Sequence, residues 1–254
     1  MKTRTDSSRK AAGFTVVEIL ITMTIIMLVT AGAMSVFLTG ARAMYKDMQR
    51  LATDATLRRL TLQVAKETID SSEFYVFSSY TKLDGTVSLT ADVSPLETDL
   101  YGTEVAYGDC LVLVTRVTVD ETSNVRQFRI YYRVPRTPAS DYLETLRYYE
   151  GTDYGASGTA SSLTTLLNAV NLNTTPAFTG SRILAEKTRG RPRTPPNPAV
   201  NPMPPPYYSV FSTESSTPTA TTEAVSMNIE VINGTTAANM LSSSSFNYTI
   251  APRR

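Results

Sequence analysis

From Ile19 to Ala41 the chain carries no charged residue, a run of 23 positions. As a helix this run spans about 34 Å, at about 1.5 Å per residue, enough to cross the hydrocarbon core of a bilayer. Its flanks are asymmetric. Residues 1–13 hold Lys2, Arg4, Arg9 and Lys10 against a single acid, Asp6. The apolar stretch itself begins at Phe14, directly after Ala11-Ala12-Gly13, and four residues later it carries an acid, Glu18. A carboxylate in a membrane span is costly unless it is paired or functional, so Glu18 and the glycine at the border both require an explanation.

Composition excludes much of what a membrane-tethered domain could do. The 254 residues include 42% apolar and 19% charged side chains and have a net charge of +1. That balance gives no bulk electrostatic attraction for nucleic acid. There is no histidine, which removes Ser-His-Asp and Cys-His catalysis and every histidine-ligated metal site. No P-loop, GxGxxG, GxSxG or CxxC pattern occurs. The single cysteine, Cys110, lies in the apolar run "DCLVLVTRV". It reads as a small buried packing residue rather than a reactive thiol. Asp92, Glu97, Asp99, Glu104 and Asp109 form a loose acidic stretch that matches no calcium loop and reads as solvated. The tripeptides "NTT", "NGT" and "NYT" have the form of glycosylation acceptors, as a serine- and threonine-rich chain produces by chance.

Three readings of the N-terminal segment compete. A secretory signal peptide has an h-region of about 7–15 residues and a prompt small-residue cleavage site. Here the run is longer, and only "TAGA" at 30–33 has the right residue sizes. A plain, uncleaved signal anchor fits the length and the basic flank but leaves Glu18 without a role. The third reading uses every unusual residue. "GFTVVE", Gly13 to Glu18, resembles the processing motif of type IV pilins and of the pseudopilins of type II secretion. The usual leucine is replaced by Val16.

The resemblance implies a set of roles. A prepilin peptidase would cut between Gly13 and Phe14 on the cytoplasmic side, and the new N-terminus, Phe14, would be methylated. The cut would create a positive amine at the start of a helix, where the helix dipole adds further positive potential. Glu18 would be the assembly contact that neutralises this amine on an adjacent subunit. The family implies a structural protein with no catalysis of its own; no catalytic residue, cofactor or metal is expected, although some heads of this family bind calcium. Its partners would be the membrane in a single pass, the prepilin peptidase/methylase and other pilin or pseudopilin subunits, with no nucleic-acid contact. It would reside in the bacterial inner membrane with its C-terminal head in the periplasm, and then in a pilus or pseudopilus. Within the family, the large strand-rich head and the segment "SRILAEKT" resemble the J-type minor pseudopilins and the PilW-like minor pilins. The rival is a membrane-tethered periplasmic binding domain on a non-cleaved anchor.

The helix has a small-residue face at Ala31, Ser35, Thr39 and Ala43, a spacing that lets helices approach closely in lipid. It is expected to continue to about residue 70, because no proline and, after Gly40, no glycine interrupts it before Asp70-Ser71-Ser72. Two apolar stripes run along this second part. One comprises Met44, Met48, Leu51, Ala55, Leu62 and Ile69, and the other Leu57, Leu60 and Val64. They predict contact with a sheet on one side and with loops or neighbours on the other.

After residue 72 the apolar period falls to two. "DCLVLVTRVTV" and "VRQFRIYYRV" read as a hairpin around "DETSN". In its second arm Phe128, Ile130, Tyr132 and Val134 are expected inside, with Gln127, Arg129, Tyr131 and Arg133 outside. "VSMNIEV" and the alternation of Phe246, Tyr248 and Ile250 predict further strands, and "SRILAEKT" a weaker one. Residues 161–170 read as a short helix with a serine cap. Residues 190–206 hold eight prolines in seventeen positions, which preclude helix and central strand and predict an extended basic loop. Residues 212–224 read as a second polar linker. The expected organisation is a leader at 1–13, a transmembrane half-helix at 14–41, an amphipathic half-helix at 42–72 and a head at 73–254. The expected fold class is α+β: a long pilin-like N-terminal helix packed on an antiparallel β-sheet.

Overall fold

The computed structural model describes residues 14–98, 104–118, 124–135, 144–174, 180–190, 209–215, 224–234 and 240–250. A single long helix, α1 (Val16–Ile69), is followed by strands β1 (Glu73–Phe77), β2 (Leu96–Thr98), β3 (Glu104–Gly108), β4 (Cys110–Arg116), β5 (Val125–Pro135) and β6 (Glu144–Glu150). A short helix, α2 (Leu163–Val170), precedes β7 (Arg182–Gly190), β8 (Phe211–Ser215), β9 (Ala224–Gly234) and β10 (Met240–Ile250). The chain is thus a long N-terminal helix followed by an antiparallel sheet, the expected α+β arrangement. It divides into two compact units, residues 1–48 and residues 49–254.

Within the second unit the strands join in the order β1-β4-β5-β6-β7-β9-β8-β3-β2, with β10 on β9. The expected hairpin is present: β4 and β5 pair antiparallel, with Val112 opposite Ile130. One edge of β9 is covered by β10 along its length. Its other edge is shared end to end by β8 (Glu214 to Phe211) and β7 (Thr188 to Gly190).

One core lies between this sheet and the C-terminal part of α1. Leu57, Leu60 and Val64 are spaced three and four apart, so they share a helix face. They pack with Leu111, Leu113, Tyr131, Tyr148, Phe211 and Met227, among others. Removing each such side chain from water is worth about 1.5–3 kcal/mol. The helix is also fixed by polar contacts. The Glu67 carboxylate accepts from the Tyr131 hydroxyl at 2.6 Å and the Tyr148 hydroxyl at 3.2 Å, with Arg129 at 3.7 Å. Of the two apolar stripes, then, the Leu57 stripe meets the sheet. Met44, Met48, Leu51 and Leu62 of the other stripe are exposed.

A second core lies on the opposite face of the sheet. There Cys110, Val112, Val114, Phe128, Ile130 and Tyr132 meet Leu163, Leu166, Leu167 and Val170 of α2, together with Leu83 and Val87. Ser162 caps α2 as expected, its hydroxyl accepting from the Thr165 amide at 3.2 Å. Because both faces are covered, the one-sided reading of β5 is corrected: Tyr131 and Arg133 are buried, not exposed. Arg133 is accommodated by charge, not by solvent. It donates from Nε and Nη2 to Asp109 at 3.1 and 2.8 Å and lies 2.9 Å from a Glu144 oxygen. The reading of Asp109 as solvated is corrected with it, since Asp109 is buried and also accepts from the Val210 amide at 3.0 Å.

The polar linker read at 212–224 is corrected at both ends. Residues 211–215 form β8, where Ser212 and Thr213 are buried, and Ala224 opens β9. Of the proline-rich segment at 190–206, Gly190 ends β7 and the remainder lies outside the described residues.

Candidate processing and assembly segment

Phe14 and Thr15 precede α1, and Gly13 lies outside the described residues. Phe14 is exposed. The start of the helix is closed by a reciprocal pair. The Thr15 amide and hydroxyl each donate to Glu18 Oε2 at 3.0 Å, and the Glu18 amide donates to the Thr15 hydroxyl at 3.3 Å. This is the capping box, in which a threonine and a glutamate three positions later satisfy each other's backbone donors. The carboxylate also lies in the first turn, where the helix dipole favours negative charge. Glu18 therefore has a partner within its own helix. Thr15 has no place among the site residues expected from the sequence, although T-x-x-E immediately before an apolar run is the sequence signature of this cap.

Beyond the cap, the threonines of the apolar run satisfy their hydroxyls within the helix. The hydroxyls of Thr24, Thr30 and Thr39 donate to the carbonyls of Leu20, Ile26 and Ser35, four residues back, at 2.8, 2.7 and 2.9 Å. Thr22 does the same to the Glu18 carbonyl. In hydrocarbon an unsatisfied hydroxyl would cost several kcal/mol, roughly the same as a lone backbone group, and these residues avoid it. The α1 helix is long and apolar enough to cross a membrane, and its most apolar window is not buried by the rest of the protein. Ala31, Ser35, Thr39 and Ala43 are all exposed on it. Their spacing places them on one face.

Among the described residues no three His, Cys, Asp or Glu side chains stand together as metal ligands would. Cys110 is fully buried, and burial foremost pushes its thiol far above the ordinary range, which leaves it unreactive in the fold.

Residues 8–34 match the model of the prokaryotic N-terminal methylation motif. No curated protein and no solved structure matches the chain. The matched span contains the basic end of the leader, the Gly13–Phe14 border, the capped Glu18 and the first part of the apolar helix. It supports a pilin- or pseudopilin-type subunit that is processed by a prepilin peptidase, anchored by one pass in the inner membrane and assembled with other pilins.

Proposed function

We propose that this chain is a minor pilin or pseudopilin, a structural subunit that helps to prime or cap a type IV pilus or type II secretion pseudopilus. The observation that carries the reading is the N-terminal methylation motif at 8–34, continuous with a helix whose first turn holds a single acid, Glu18. In this reading the peptidase cuts between Gly13 and Phe14, and Phe14 is methylated. The subunit stays in the inner membrane through residues 14–41 with its head in the periplasm. The face of Ala31, Ser35, Thr39 and Ala43 packs against neighbouring helices. The minor role, like that of J-type pseudopilins and PilW-like pilins, is favoured by the size of the head, whose sheet has ten strands among the described residues. The protein performs no catalysis; it is the substrate of the peptidase and methylase.

The capping box survives the proposed cut, because Thr15 and Glu18 both remain in the mature chain. Glu18 then serves in two states. In the isolated subunit it is satisfied by Thr15. In the fibre it turns to the Phe14 amine of a neighbour, which would otherwise remain charged and unpaired in lipid.

The test is the N-terminus of the protein isolated from cells with an active prepilin peptidase. Mass spectrometry should find a first peptide that begins at Phe14 and carries one added methyl group. A bulky replacement at Gly13 should block the cut. A chain that retains Met1 and its leader would overturn the reading in favour of a tethered domain on an uncleaved anchor.

A further inference from the structure

Several arginines of the sheet stand beside an acid. Arg116 meets Glu73, Arg129 meets Glu67 and Glu150, Arg133 meets Asp109 and Glu144, and Arg189 meets Glu230. Arg59 of α1 and Arg182 at the start of β7 meet no carboxylate among the described residues. Both line one hollow of ≈ 190 Å³ between α1 and β7. No acid lines it among the described residues.

The hollow is made by an irregularity in β7. The pairs Leu146–Ala185 and Arg147–Ile183 leave Leu184 as an extra residue opposite β6. In a regular strand Arg182, Ile183 and Leu184 would alternate between the two faces of the sheet. A bulge re-aims side chains, and here all three line the same hollow. From α1 come Thr56, Arg59 and Gln63, spaced three and four apart and so on one side of the helix.

The charge in the hollow is prepared rather than spent. The Arg182 guanidinium lies 4.5 Å from the centre of the Tyr148 ring. That stacking orients the cation and leaves its planar N–H edge for an acceptor. The Glu67 carboxylate, one turn beyond Gln63, is engaged elsewhere. It accepts from Tyr131, Tyr148 and Gln63 at 2.6, 3.2 and 3.2 Å, with Arg129 at 3.7 Å. The Thr56 hydroxyl is spent on the Ala52 carbonyl at 3.0 Å. Beside the two cations the surface is aliphatic, and Ile183 stands 48% exposed. A cationic fork beside apolar surface suits a carboxylate carried on an aliphatic stem better than a bare inorganic anion.

We propose that the hollow between α1 and β7 is a socket for an acidic side chain of a partner protein, whose carboxylate is held by Arg59 and Arg182 while its stem lies on Ile183 and Leu184. The socket goes beyond the processing and anchoring described above. It lies wholly within residues 49–254, so its occupancy does not depend on the cut at Gly13.

The experiment uses the full chain in detergent micelles. Three short peptides with blocked termini and a neutral fluorophore are titrated into it. They share a leucine–glycine frame and differ only at the central residue, which is glutamate, glutamine or lysine. The expected result is saturable binding of the glutamate peptide, about tenfold or more tighter than that of the glutamine peptide, with the lysine peptide weaker still. Arg59→Gln and Arg182→Gln should each narrow the glutamate-to-glutamine ratio, and together bring it close to one. Arg182→Lys keeps the charge but loses the planar stack on Tyr148, and should narrow the ratio as well. Arg58→Gln removes the same charge one position away, from a residue that lines a separate hollow with Leu62 and Tyr248, and should leave the ratio unchanged. Arg58 and Arg59 are both exposed on α1, so neither change threatens the fold. Failure of all three peptides to bind, or equal binding of the glutamate and glutamine peptides, would overturn the proposal. So would an effect of Arg58→Gln as large as that of Arg59→Gln, which would mean a diffuse positive field and no socket. Displacement of the glutamate peptide by an equal concentration of inorganic phosphate would overturn it too, because the hollow would then take a free oxyanion. Self-association of the chain that Arg59→Gln abolishes would do the same, because the carboxylate would then come from a second copy.

Discussion

The Glu18 carboxylate accepts from both the amide and the hydroxyl of Thr15, each at 3.0 Å. This cap gives Glu18 a second role beside the assembly role proposed for it, and the two roles respond differently to substitution. Thr15→Val removes the hydroxyl but leaves the Thr15-position amide and the Glu18 charge. It should cost the helix start about 1 kcal/mol and leave both membrane insertion and fibre assembly close to normal. Glu18→Val removes the charge as well. It should insert at least as well, because the span becomes more apolar. Crosslinking to partner pilins and fibre yield should nevertheless fall sharply, with Glu18→Asp intermediate. Membrane fractionation and crosslinking are read together. If the two valine variants assemble equally well, or equally badly, Glu18 acts only as a cap.

The buried cluster of Asp109, Arg133 and Glu144 ties together four parts of the head. Asp109 sits between β3 and β4, Arg133 lies on β5 and Glu144 on β6, and the Val210 amide ahead of β8 is held by Asp109. Asp109→Ala takes one buried carboxylate from Arg133 and the acceptor from the Val210 amide. Breaking a buried pair from one side costs about 3–5 kcal/mol. The melting temperature of the full chain should accordingly fall by about 10 °C. Arg126→Ala is the control. Its ion pair with Asp153 at 3.9 Å is half-exposed, and such pairs contribute about 0–1 kcal/mol. Similar melting temperatures for the two variants would show that the cluster contributes no more than a surface pair.

Much of this architecture was legible before the structure. The uncharged run and the lack of breakers predict one helix to about residue 70, and α1 ends at Ile69. Ser162 before an apolar repeat predicts α2, and strict alternation predicts β5 and β9. What alternation could not report is how many faces of a strand are covered. In β5 the residues between the apolar ones are Tyr131 and Arg133, which look solvent-facing by type. Their burial depends on Glu67 from α1, on Asp109 between β3 and β4 and on Glu144 from β6. Those partners are distant in sequence, so no local pattern encodes them. The same holds for β8, whose residues from Ser212 on read as linker and which is made a strand by neighbours on both edges. At the N-terminus the cap is written locally, in T-x-x-E from Thr15 to Glu18.

Three tyrosines of the sheet, Tyr131 and Tyr148 facing α1 and Tyr75 facing the second core, predict how the head fails in alkali. Burial, more than any other cause, pushes the Tyr75 phenol up to about 12, and the adjacent Glu73 carboxylate adds to it. Tyr131 and Tyr148 are raised further, again chiefly by burial and then by the Glu67 carboxylate. A raised folded value means that the fold favours the neutral phenol. The associated stability is complete below the unfolded value of about 10 and is lost as pH rises through the folded values, beginning with Tyr75 at about 12. Titration followed by tyrosinate absorbance should therefore show exposed tyrosines ionising first, with a deficit that persists until the head unfolds cooperatively. In Tyr131→Phe the deficit should shrink by one residue, while the hydrogen bond from Tyr148 still reaches Glu67. The deciding observation is the near-ultraviolet circular dichroism at the same pH values. If all 14 tyrosines titrate together near about 10 while that signal stays native, then Tyr131 and Tyr148 are open to solvent and Glu67 does not clamp α1 to the sheet.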